Sequence, residues 1–293
     1  MAVASGFWGH ESGTYMMSRN WFITGTSSGF GRIMTERLLE RGDTVVATLR
    51  RRDALDALQA RYSDRLHVVA LDVTDTQMVR QVVDQAFARL GHIDVVVSNA
   101  GYGLFGAVEE VSDAQIRDQI NTNVIGSIAV VRAALPHFRA QGGGRILQLS
   151  SMGGQIAFPG LGLYHASKWA IEGFFESLVQ EIASFGIEAT LIEPGAARTQ
   201  FGRGSMVMSD PLEAYQTLPF SARREVLAHE SYTPIGDPEK MVHEMIASVD
   251  VSPAPLRLAL GSDAYRLMHE ALAKRLELLE AQKDIAVSTD ASS

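Results

Sequence analysis

The sequence predicts an α/β fold in which a doubly wound parallel sheet of about seven strands lies between two helical layers, a three-layer αβα arrangement. Short apolar runs alternate with longer amphipathic segments about six times along the 293-residue chain, which is the pattern of repeated βα units. Val95, Val96 and Val97 stand in a row, as expected for a strand that is buried on both faces. A hydrophobic content of 46% and a charged content of 20% suit a folded chain.

Each element is predicted from its local pattern. The first helix has apolar residues at Ile33, Leu38 and Leu39 and is expected to end at Gly42. A later, longer helix is expected to break near Pro136, because proline disfavours a continuous helix. The predicted strands span 21–24, 44–49, 66–71, 93–98, 145–150, 187–193 and 256–260. The predicted helices span 30–41, 53–61, 75–90, 112–139, 163–184, 238–248 and 262–282.

A single domain over 18–283 is predicted, because no linker or low-complexity tract interrupts the repeat. Residues 1–17 are mostly polar and glycine-rich and are predicted to be a disordered or tag-like extension. The segment 196–236 is irregular, and an insert of this length is usually functional or disordered, so it is predicted to form a substrate lid. Small polar residues indicate a flexible tail over 284–293.

The composition excludes several classes of function. Without cysteine the chain has no disulfides, no thiolate zinc or iron–sulfur sites and no cysteine nucleophile. The histidines lack metal-site spacing, so no metal is predicted. A net charge of −8, with no basic patch beyond 50–52, argues against nucleic acid and anionic membranes as partners. Without a signal peptide or an apolar run of roughly 18 residues, the chain is expected to be cytoplasmic.

A glycine-rich turn joins the first strand to the first helix. It reads Thr24-Gly25-Thr26-Ser27-Ser28-Gly29-Phe30-Gly31, with the spacing G-x-x-x-G-x-G. Glycine permits positive φ and a close approach to a pyrophosphate, and the N-terminus of the helix offers unpaired N–H groups to that anion. This context predicts a dinucleotide-binding turn. The alternative interpretation is a tight strand–helix turn that binds nothing.

The end of the second strand indicates which dinucleotide is bound. An NAD site usually places an acidic residue there to bind the ribose 2′-hydroxyl. This sequence instead reads Leu49-Arg50-Arg51-Arg52, with no acid before Asp53. Because arginine can bind a 2′-phosphate through two hydrogen bonds, NADP(H) is favoured over NAD(H). The alternative is a solvated basic stretch at the start of a helix.

Between about residues 20 and 261 the sequence resembles the short-chain dehydrogenase/reductase family. The motifs follow the family's order, and after the glycine turn they are Asp72-Val73, Asn99-Ala100-Gly101, Asn121-Thr122-Asn123-Val124, Ser150-Ser151, Tyr164-His165-Ala166-Ser167-Lys168, and Pro194-Gly195 with Thr199. The resemblance implies a Rossmann-type fold and oxidoreductase activity. The basic end of the second strand resembles NADP-preferring carbonyl and hydroxysteroid-type reductases. Ser98 replaces a common asparagine of the family, and we expect cofactor binding to survive this departure.

Tyr164 and Lys168 stand at positions i and i+4 of a predicted helix, so they share one face. The ammonium of Lys168, with a positively charged nicotinamide, is expected to lower the pKa of Tyr164 and make it a general acid or base. Ser151 ends a strand at the edge where ligands bind and would hold the substrate oxygen. Ser150 is the competing candidate, and the family spacing favours Ser151. His165 is interpreted as structural, because its side chain points away from that of its neighbour.

Other roles are implied by the resemblance alone. Lys168 would hold the nicotinamide ribose, and Asn123 would hold a water of a proton relay. Asp72 and Val73 would contact the adenine, although Asp72 could instead be only a helix cap. The segment from Asn99 to Gly101 would line the adenine ribose, and Pro194, Gly195 and Thr199 would frame the nicotinamide. The predicted cofactor-binding residues are thus Gly25, Thr26, Ser27, Ser28, Phe30, Gly31, Leu49, Arg50, Arg51, Asp72, Val73, Asn99, Ala100, Gly101, Tyr164, Lys168, Pro194, Gly195 and Thr199.

The substrate site is predicted between the 153–163 loop and the lid. Besides Ser151 and Tyr164, its candidate residues are mostly apolar: Gly153, Phe158, Leu161, Leu163, Phe201, Met206, Met208 and Tyr215. They favour a hydrophobic ketone, aldehyde or secondary alcohol, although the same residues could form a lid core or an oligomer contact. A non-catalytic NADP(H) sensor and a sugar-nucleotide epimerase are the alternatives, disfavoured by the Tyr164–Lys168 pair and by the short C-terminal stretch. The resemblance also implies a homo-oligomer, a dimer or a tetramer.

Overall fold

A computed structural model describes residues 18–201, 204–228 and 233–291. The strands are β1 Asn20–Thr24, β2 Thr44–Leu49, β3 Leu66–Ala70, β4 Val95–Ser98, β5 Gly103–Phe105, β6 Gly144–Leu149, β7 Ile187–Pro194, β8 Met206–Met208 and β9 Arg257–Leu260. Seven of them form one parallel sheet in the order β3-β2-β1-β4-β6-β7-β9. The predicted fold class is confirmed, and the predicted strands appear with their ends within two residues of the expected positions.

Helices cover both faces of this sheet. They are α1 Gly29–Arg41, α2 Asp56–Arg61, α3 Thr76–Leu90, α4 Asp113–Ile120, α5 Ser127–Gln141, α6 Gly162–Ile182, α7 Glu213–Gln216, α8 Ala222–Ala228, α9 Pro238–Ala247, α10 Ser262–Glu280 and α11 Lys283–Ser288. Side chains of β1 alternate between the two faces, as the two-residue period of a strand requires. Phe22 packs in one core with residues of α3, α5 and α6, whereas Trp21 and Ile23 pack in the other core with residues of α1 and α9.

Local residues set where several helices begin and end. The carboxylate of Asp75 accepts hydrogen bonds from the N–H groups of Gln77 and Met78 at the start of α3. Ser112 forms a capping box with Gln115 at the start of α4. These side chains satisfy backbone donors that have no partner within the helix, which explains the observed starts.

The strand order reverses beside β1, which pairs with β2 on one side and with β4 on the other. In an open parallel sheet the connections leave such a point in opposite directions, so a crevice opens at the carboxyl ends of the strands. The residues that end β1 and β4, Thr24 and Ser98, therefore mark the mouth of the expected ligand site.

The helix predicted over 112–139 differs from expectation in where it is interrupted. Pro136 lies inside α5 without breaking it, and the irregularity is a π-helical turn, Asn121–Gly126, between α4 and α5. Ala134 and Phe138 on either side of the proline are fully buried, so packing holds the helix despite the one missing N–H donor. A π turn changes the direction of side chains along a helix, and here it directs Asn123 into the interior.

The predicted lid contains regular structure that the sequence pattern did not indicate. Its strand β8 pairs in parallel with β5, with Gly103 opposite Met206 and Phe105 opposite Met208. Two short helices, α7 and α8, follow, and Arg224 of α8 binds Glu110 through a 2.7 Å ion pair. The described part of the segment is therefore anchored to the body of the molecule through β8 and through Arg224.

The chain ends in helical structure where a flexible tail was expected from residue 284. Helix α11 covers Lys283–Ser288, because Asp284 near its N-terminus and the short apolar run after it permit a further turn. From Leu272 onward the described residues are exposed. The predicted extension over 1–17 lies outside the described residues. Across the described ranges, no helix combines the length and the apolar character that crossing a bilayer requires.

Candidate active site

A cleft of about 1110 Å³ opens at the carboxyl ends of the strands, beside the point where the strand order reverses. It runs from the glycine turn to the lid, so it brings distant segments of the chain together. The predicted site residues that line it are Gly25, Ser27, Ser28, Phe30, Leu49, Arg50, Asp72, Val73, Asn99, Ala100, Gly101, Ser151, Gly153, Phe158, Leu161, Tyr164, Lys168, Pro194, Gly195, Thr199, Phe201 and Met206.

The glycine turn is shaped by close backbone packing. Gly25 has a φ of 72°, and a Cβ placed there would lie 2.8 Å from the Cα of Ala100. The amide of Asn99 donates to the carbonyl oxygens of Thr24 at 2.8 Å and Gly25 at 3.0 Å, which fixes the turn against β4. Ser28 precedes α1 without a side-chain cap, so the first N–H groups of this helix point towards the cleft unpaired by a side chain.

Two residues of this turn that were predicted to contact the cofactor are buried and do not line the cleft. Thr26 is buried, and its hydroxyl donates to the carbonyl oxygen of Thr48 at 3.2 Å. Gly31 is also buried, and a Cβ there would collide with Gly25 and Asn99. Both residues lie behind the turn and not on the surface of the cleft, because they pack α1 onto the sheet.

The basic strand end divides into one residue at the cleft and one in solvent. Arg50 lines the cleft beside Asp72. Burial opposes ionisation of Asp72, but hydrogen bonds from Thr74 and the charge of Arg50 outweigh it, so the pKa of Asp72 is lowered. Arg51 does not line the cleft: its side chain is 84% exposed and its guanidinium lies 4.0 Å from Asp53. The structure thus places the side chain of Arg51 outside the cleft that holds Arg50, because successive side chains of an extended segment point in opposite directions.

Asn123 also lies behind the cleft. It is 2% exposed, and its side-chain amide donates to the carbonyl oxygen of Tyr102 at 2.9 Å and to the hydroxyl of Ser167 at 3.1 Å. Its own amide oxygen accepts from the N–H of Tyr102 at 3.1 Å. Asn123 thus links the loop after β4 to helix α6, and the π turn that carries it explains the inward direction of its side chain.

Tyr164 and Lys168 meet on one face of α6, as the i, i+4 spacing predicted. Both are buried at 7% exposure and both line the cleft. The ammonium of Lys168 lies 5.8 Å from the centre of the Tyr164 ring and donates to the carbonyl oxygen of Leu149 at 2.8 Å. The hydroxyl of Ser151 accepts from the N–H of Gly153 at 3.0 Å and lies close enough to the phenol of Tyr164 to lower its pKa. Ser150 instead donates to the carboxylate of Glu172, away from Tyr164.

Burial dominates the electrostatics of this group. It raises the pKa of Tyr164 to about 12, and the nearby hydroxyl of Ser151 lowers that value only in part. It lowers the pKa of Lys168 to about 8, against the opposing charge of Glu172. Without a bound nicotinamide, loss of solvation therefore keeps the pKa of Tyr164 high. The predicted lowering of this pKa includes the positive charge of that nicotinamide, so it stays a prediction for the complex.

His165 lines the cleft, but hydrogen bonds fix it. Its Nδ1 lies 2.9 Å from the carbonyl oxygen of Gly153, and its Nε2 accepts from the N–H of Phe158 at 2.9 Å. This pattern requires the neutral ring with the proton on Nδ1. Burial lowers the pKa of His165, which agrees with a neutral imidazole. The ring thus holds the 153–158 loop, consistent with the structural role predicted.

The apolar end of the cleft lies between the 153–161 loop and the lid. Phe201 packs against Tyr164 with ring centres 5.6 Å apart, next to Met206. Three predicted lining residues lie elsewhere: Leu163, Met208 and Tyr215. The hydroxyl of Tyr215 binds Glu109 outside the cleft. Leu163 is next to Tyr164 on α6, and Met208 is two residues from Met206 on β8, but neither of them lines the cleft.

Some lining residues carried no signal in the sequence. Met152, Tyr102 and Arg223 reach the cleft only because of the folding of loops, and the guanidinium of Arg223 lies 5.0 Å from the centre of the Phe158 ring.

The loop after β7 is fixed by Asp263 of α10, which accepts from the N–H of Ala196 at 2.8 Å. Within the part of the chain that the structure describes, no group of three or more histidine, aspartate and glutamate side chains could hold a metal ion.

Comparison with known proteins gives consistent relatives. A family model described as short chain dehydrogenase matches residues 19–207. Oxidoreductase BOA17 of Botryotinia fuckeliana is 39% identical over 269 residues, which cover 92% of this chain and 96% of that protein. A short-chain dehydrogenase from Streptomyces avermitilis has 38% identity and a TM-score of 0.87, covering 94% of this chain and 100% of that one. A short chain dehydrogenase from Burkholderia cenocepacia in complex with NADP has a TM-score of 0.71 at 22% identity, covering 89% and 95%, a likeness of fold alone.

Proposed function

This chain belongs to the short-chain dehydrogenase family, and we propose that it transfers a hydride between NADP(H) and a hydrophobic ketone or aldehyde, or the matching alcohol. The observation that carries the proposal is the meeting of the half-buried Ser151 with the buried pair of Tyr164 and Lys168. This group lies where the cleft passes from its glycine turn to its apolar end. A carbonyl group placed there would face a proton donor while its apolar body stayed in the lid region.

The residues of the cleft fit a dinucleotide. Gly25 leaves no room for a side chain, and the uncapped start of α1 presents N–H groups to a pyrophosphate. Arg50 would bind a 2′-phosphate, which favours NADP(H) over NAD(H). This preference in turn favours the carbonyl and hydroxysteroid-type reductases as the subgroup to which the chain belongs. Lys168 would hold the ribose next to the nicotinamide. The remaining proposed contacts are Ser27, Ser28, Phe30, Leu49, Asp72, Val73, Asn99, Ala100, Gly101, Pro194, Gly195 and Thr199.

The proton chemistry belongs to the chain's own side chains. The bound nicotinamide supplies or accepts the hydride. Tyr164 is protonated at neutral pH because its pKa is raised to about 12, so it can donate a proton to the carbonyl oxygen during reduction. Ser151 positions that oxygen through its hydroxyl. Lys168, as an ammonium, stabilises the negative charge that develops on the phenol oxygen.

A substrate panel tests the proposal. The purified protein is mixed with NADPH or NADH and with ketones and aldehydes of increasing apolar size, and the absorbance of the reduced nicotinamide is followed. We expect turnover with NADPH and a kcat/KM that rises with apolar size. Tight NADPH binding without turnover of any carbonyl or alcohol would contradict the enzyme assignment and favour the sensor alternative.

A further inference from the structure

A buried polar cluster lies one turn beyond Lys168 along α6. We call it the Glu172 cluster; it consists of Glu172, Glu193, Arg257, Gln155 and Ser150. The guanidinium of Arg257 lies 2.9 Å from the carboxylate of Glu172 and 3.4 Å from that of Glu193. The amide of Gln155 donates to both carboxylates, at 3.2 Å and 3.1 Å. Two buried carboxylates thus share one cation.

This cluster links the two elements that carry the catalytic side chains. Glu172 stands four residues after Lys168 on α6, so both lie on one face of the helix. Its other carboxylate oxygen accepts from the hydroxyl of Ser150, the neighbour of Ser151. A single carboxylate therefore joins the helix that carries Tyr164 and Lys168 to the strand end that carries Ser151.

The charge of Glu172 acts on Lys168. Burial lowers the pKa of Lys168, and Glu172 is the group, among the described residues, that raises it. Facing Glu172 are Arg257 from β9, Glu193 from β7, and Gln155 and Ser150 from the turn after β6, with Glu176 one turn away on α6. Burial, with the charge of Glu172, raises the pKa of Glu193 to about 7, so Glu193 is largely neutral in mild acid.

We propose that Glu172 is a positioning residue of the reaction proposed above, which keeps Lys168 in its ammonium form and fixes the strand end that carries Ser151. The inference rests on the proposed function for its catalytic meaning. The effect on Lys168 itself does not depend on any substrate. This separation allows the two ideas to fail independently.

The direct test is a titration of Lys168 in the protein alone. The chain has four lysines, so carbon-13 NMR of labelled lysine side chains gives a simple spectrum in which Lys168→Arg identifies the signal of Lys168. Glu172→Gln preserves the shape and most hydrogen bonds but removes the charge. We expect the pKa of Lys168 to fall by about one unit in this variant.

Glu176→Gln is the matched control. Glu176 lies on the same helix and pairs with the same arginine at 2.6 Å, but it is 58% exposed. It should leave the pKa of Lys168 unchanged. An equal pKa of Lys168 in the wild type and in Glu172→Gln would overturn the inference. If Glu172→Gln does not fold, the double variant Glu172→Gln/Arg257→Gln removes the charge together with its partner, and the same fall is expected.

Kinetics then separate the two parts of the role. Catalysis needs the ammonium form of Lys168, so kcat should decline at alkaline pH, and we call this decline the alkaline limb of the plot of kcat against pH. This limb should move to lower pH in Glu172→Gln and stay in place in Glu176→Gln. Ser150→Ala should lower kcat by about tenfold without moving that limb, because it removes a hydrogen bond but no charge. An unmoved limb in Glu172→Gln would contradict the inference. A wild type without turnover would contradict the proposed function and leave the titration as evidence on Glu172.

Discussion

At the scale of single residues, the chemistry depends on the burial of two ionisable side chains in contact. Tyr164 and Lys168 are removed from water to the same extent, and burial shifts the pKa of the phenol to about 12 and that of the ammonium to about 8. Both shifts favour the uncharged forms, since a charge loses solvation in the interior. The phenol is therefore a ready proton donor, and the ammonium needs the support of neighbouring charge.

The first prediction concerns the phenol oxygen. Tyr164→Phe removes the proposed proton donor but little volume, so we expect kcat to fall by roughly 10²–10⁴-fold while the Kd for NADPH changes little. Tyr215→Phe is the control, because that hydroxyl binds Glu109 outside the cleft. Steady-state kinetics and a binding titration measure both quantities. A Tyr164→Phe variant with near wild-type kcat would rule out Tyr164 as the acid.

A second prediction compares two adjacent arginines. Arg50→Ala should raise the Kd for NADPH by about 10–100-fold, the loss of a charge-assisted contact, and leave the Kd for NADH unchanged. Arg51→Ala should change neither value, because Arg51 is largely exposed and away from the cleft. Fluorescence titrations with both cofactors make the comparison. Equal effects of the two substitutions would mean that the basic stretch acts only through its overall charge.

At the scale of elements, the turn between β1 and α1 determines how closely an anion can approach the backbone. Gly25 combines a positive φ with a neighbour, Ala100, too near for a side chain. Elsewhere a positive φ is only a conformational requirement. Gly91, which follows α3, has a φ of 74° with open space around it.

The third prediction uses this pair of glycines. Gly91→Ala should cost about 1–2 kcal/mol of unfolding free energy, the strain of a left-handed backbone. Gly25→Ala should cost more and also abolish NADPH binding, because the new methyl group forces β1 and the loop after β4 apart. Chemical denaturation and a cofactor titration test this. Equal costs, with NADPH binding retained in both variants, would show that the turn tolerates a side chain.

Helix α8 of the lid shows that neighbouring residues of one element can serve separate ends. Arg224 anchors the helix through Glu110 and the carbonyl oxygen of Ser209, the latter at 2.5 Å. Arg223 lines the cleft over Phe158. The lid is thus held to the body by one arginine while the next one faces the space that a substrate would enter.

At the scale of the whole molecule, buried ionisable groups make the stability of the fold depend on pH. The Glu172 cluster places ionisable groups in the interior near β7 and β9. A buried carboxyl whose pKa is raised binds its proton more tightly in the folded state than in the unfolded state. Its contribution to stability is therefore full below the unfolded pKa and is lost as the pH rises through the folded value.

The fourth prediction concerns this loss of stability with rising pH. The pKa of Glu193 rises from 4.5 to about 7 on folding, so wild-type stability should decline between these values as the pH increases. Glu193→Gln removes that dependence, and its Tm relative to the wild type should be higher at pH 8 than at pH 5. Thermal unfolding of both proteins at the two pH values measures the difference. A constant difference in Tm would show that Glu193 is ionised throughout.

Local patterns in the sequence determined the order of strands and helices, the glycine turn and the pairing of Tyr164 with Lys168, because each follows from the period of one element or from a spacing of four residues. The sequence did not predict the π turn at Asn123, because the packing of the folded chain, and not Pro136, determines where this long helix is interrupted. Thr26, Gly31 and Arg51 fit the expected motif, but packing places Thr26 and Gly31 behind the glycine turn and the side chain of Arg51 in solvent.

Only the tertiary structure showed the contacts between residues that are far apart in the sequence. Arg257 meets Glu172 across 85 residues, and β8 pairs with β5, although neither segment signals the other. The pKa of Tyr164 likewise depends on burial, which is a property of the assembled core and not of a motif. Periodicity is encoded between near neighbours, whereas long-range contacts and desolvation arise only when the whole chain has packed.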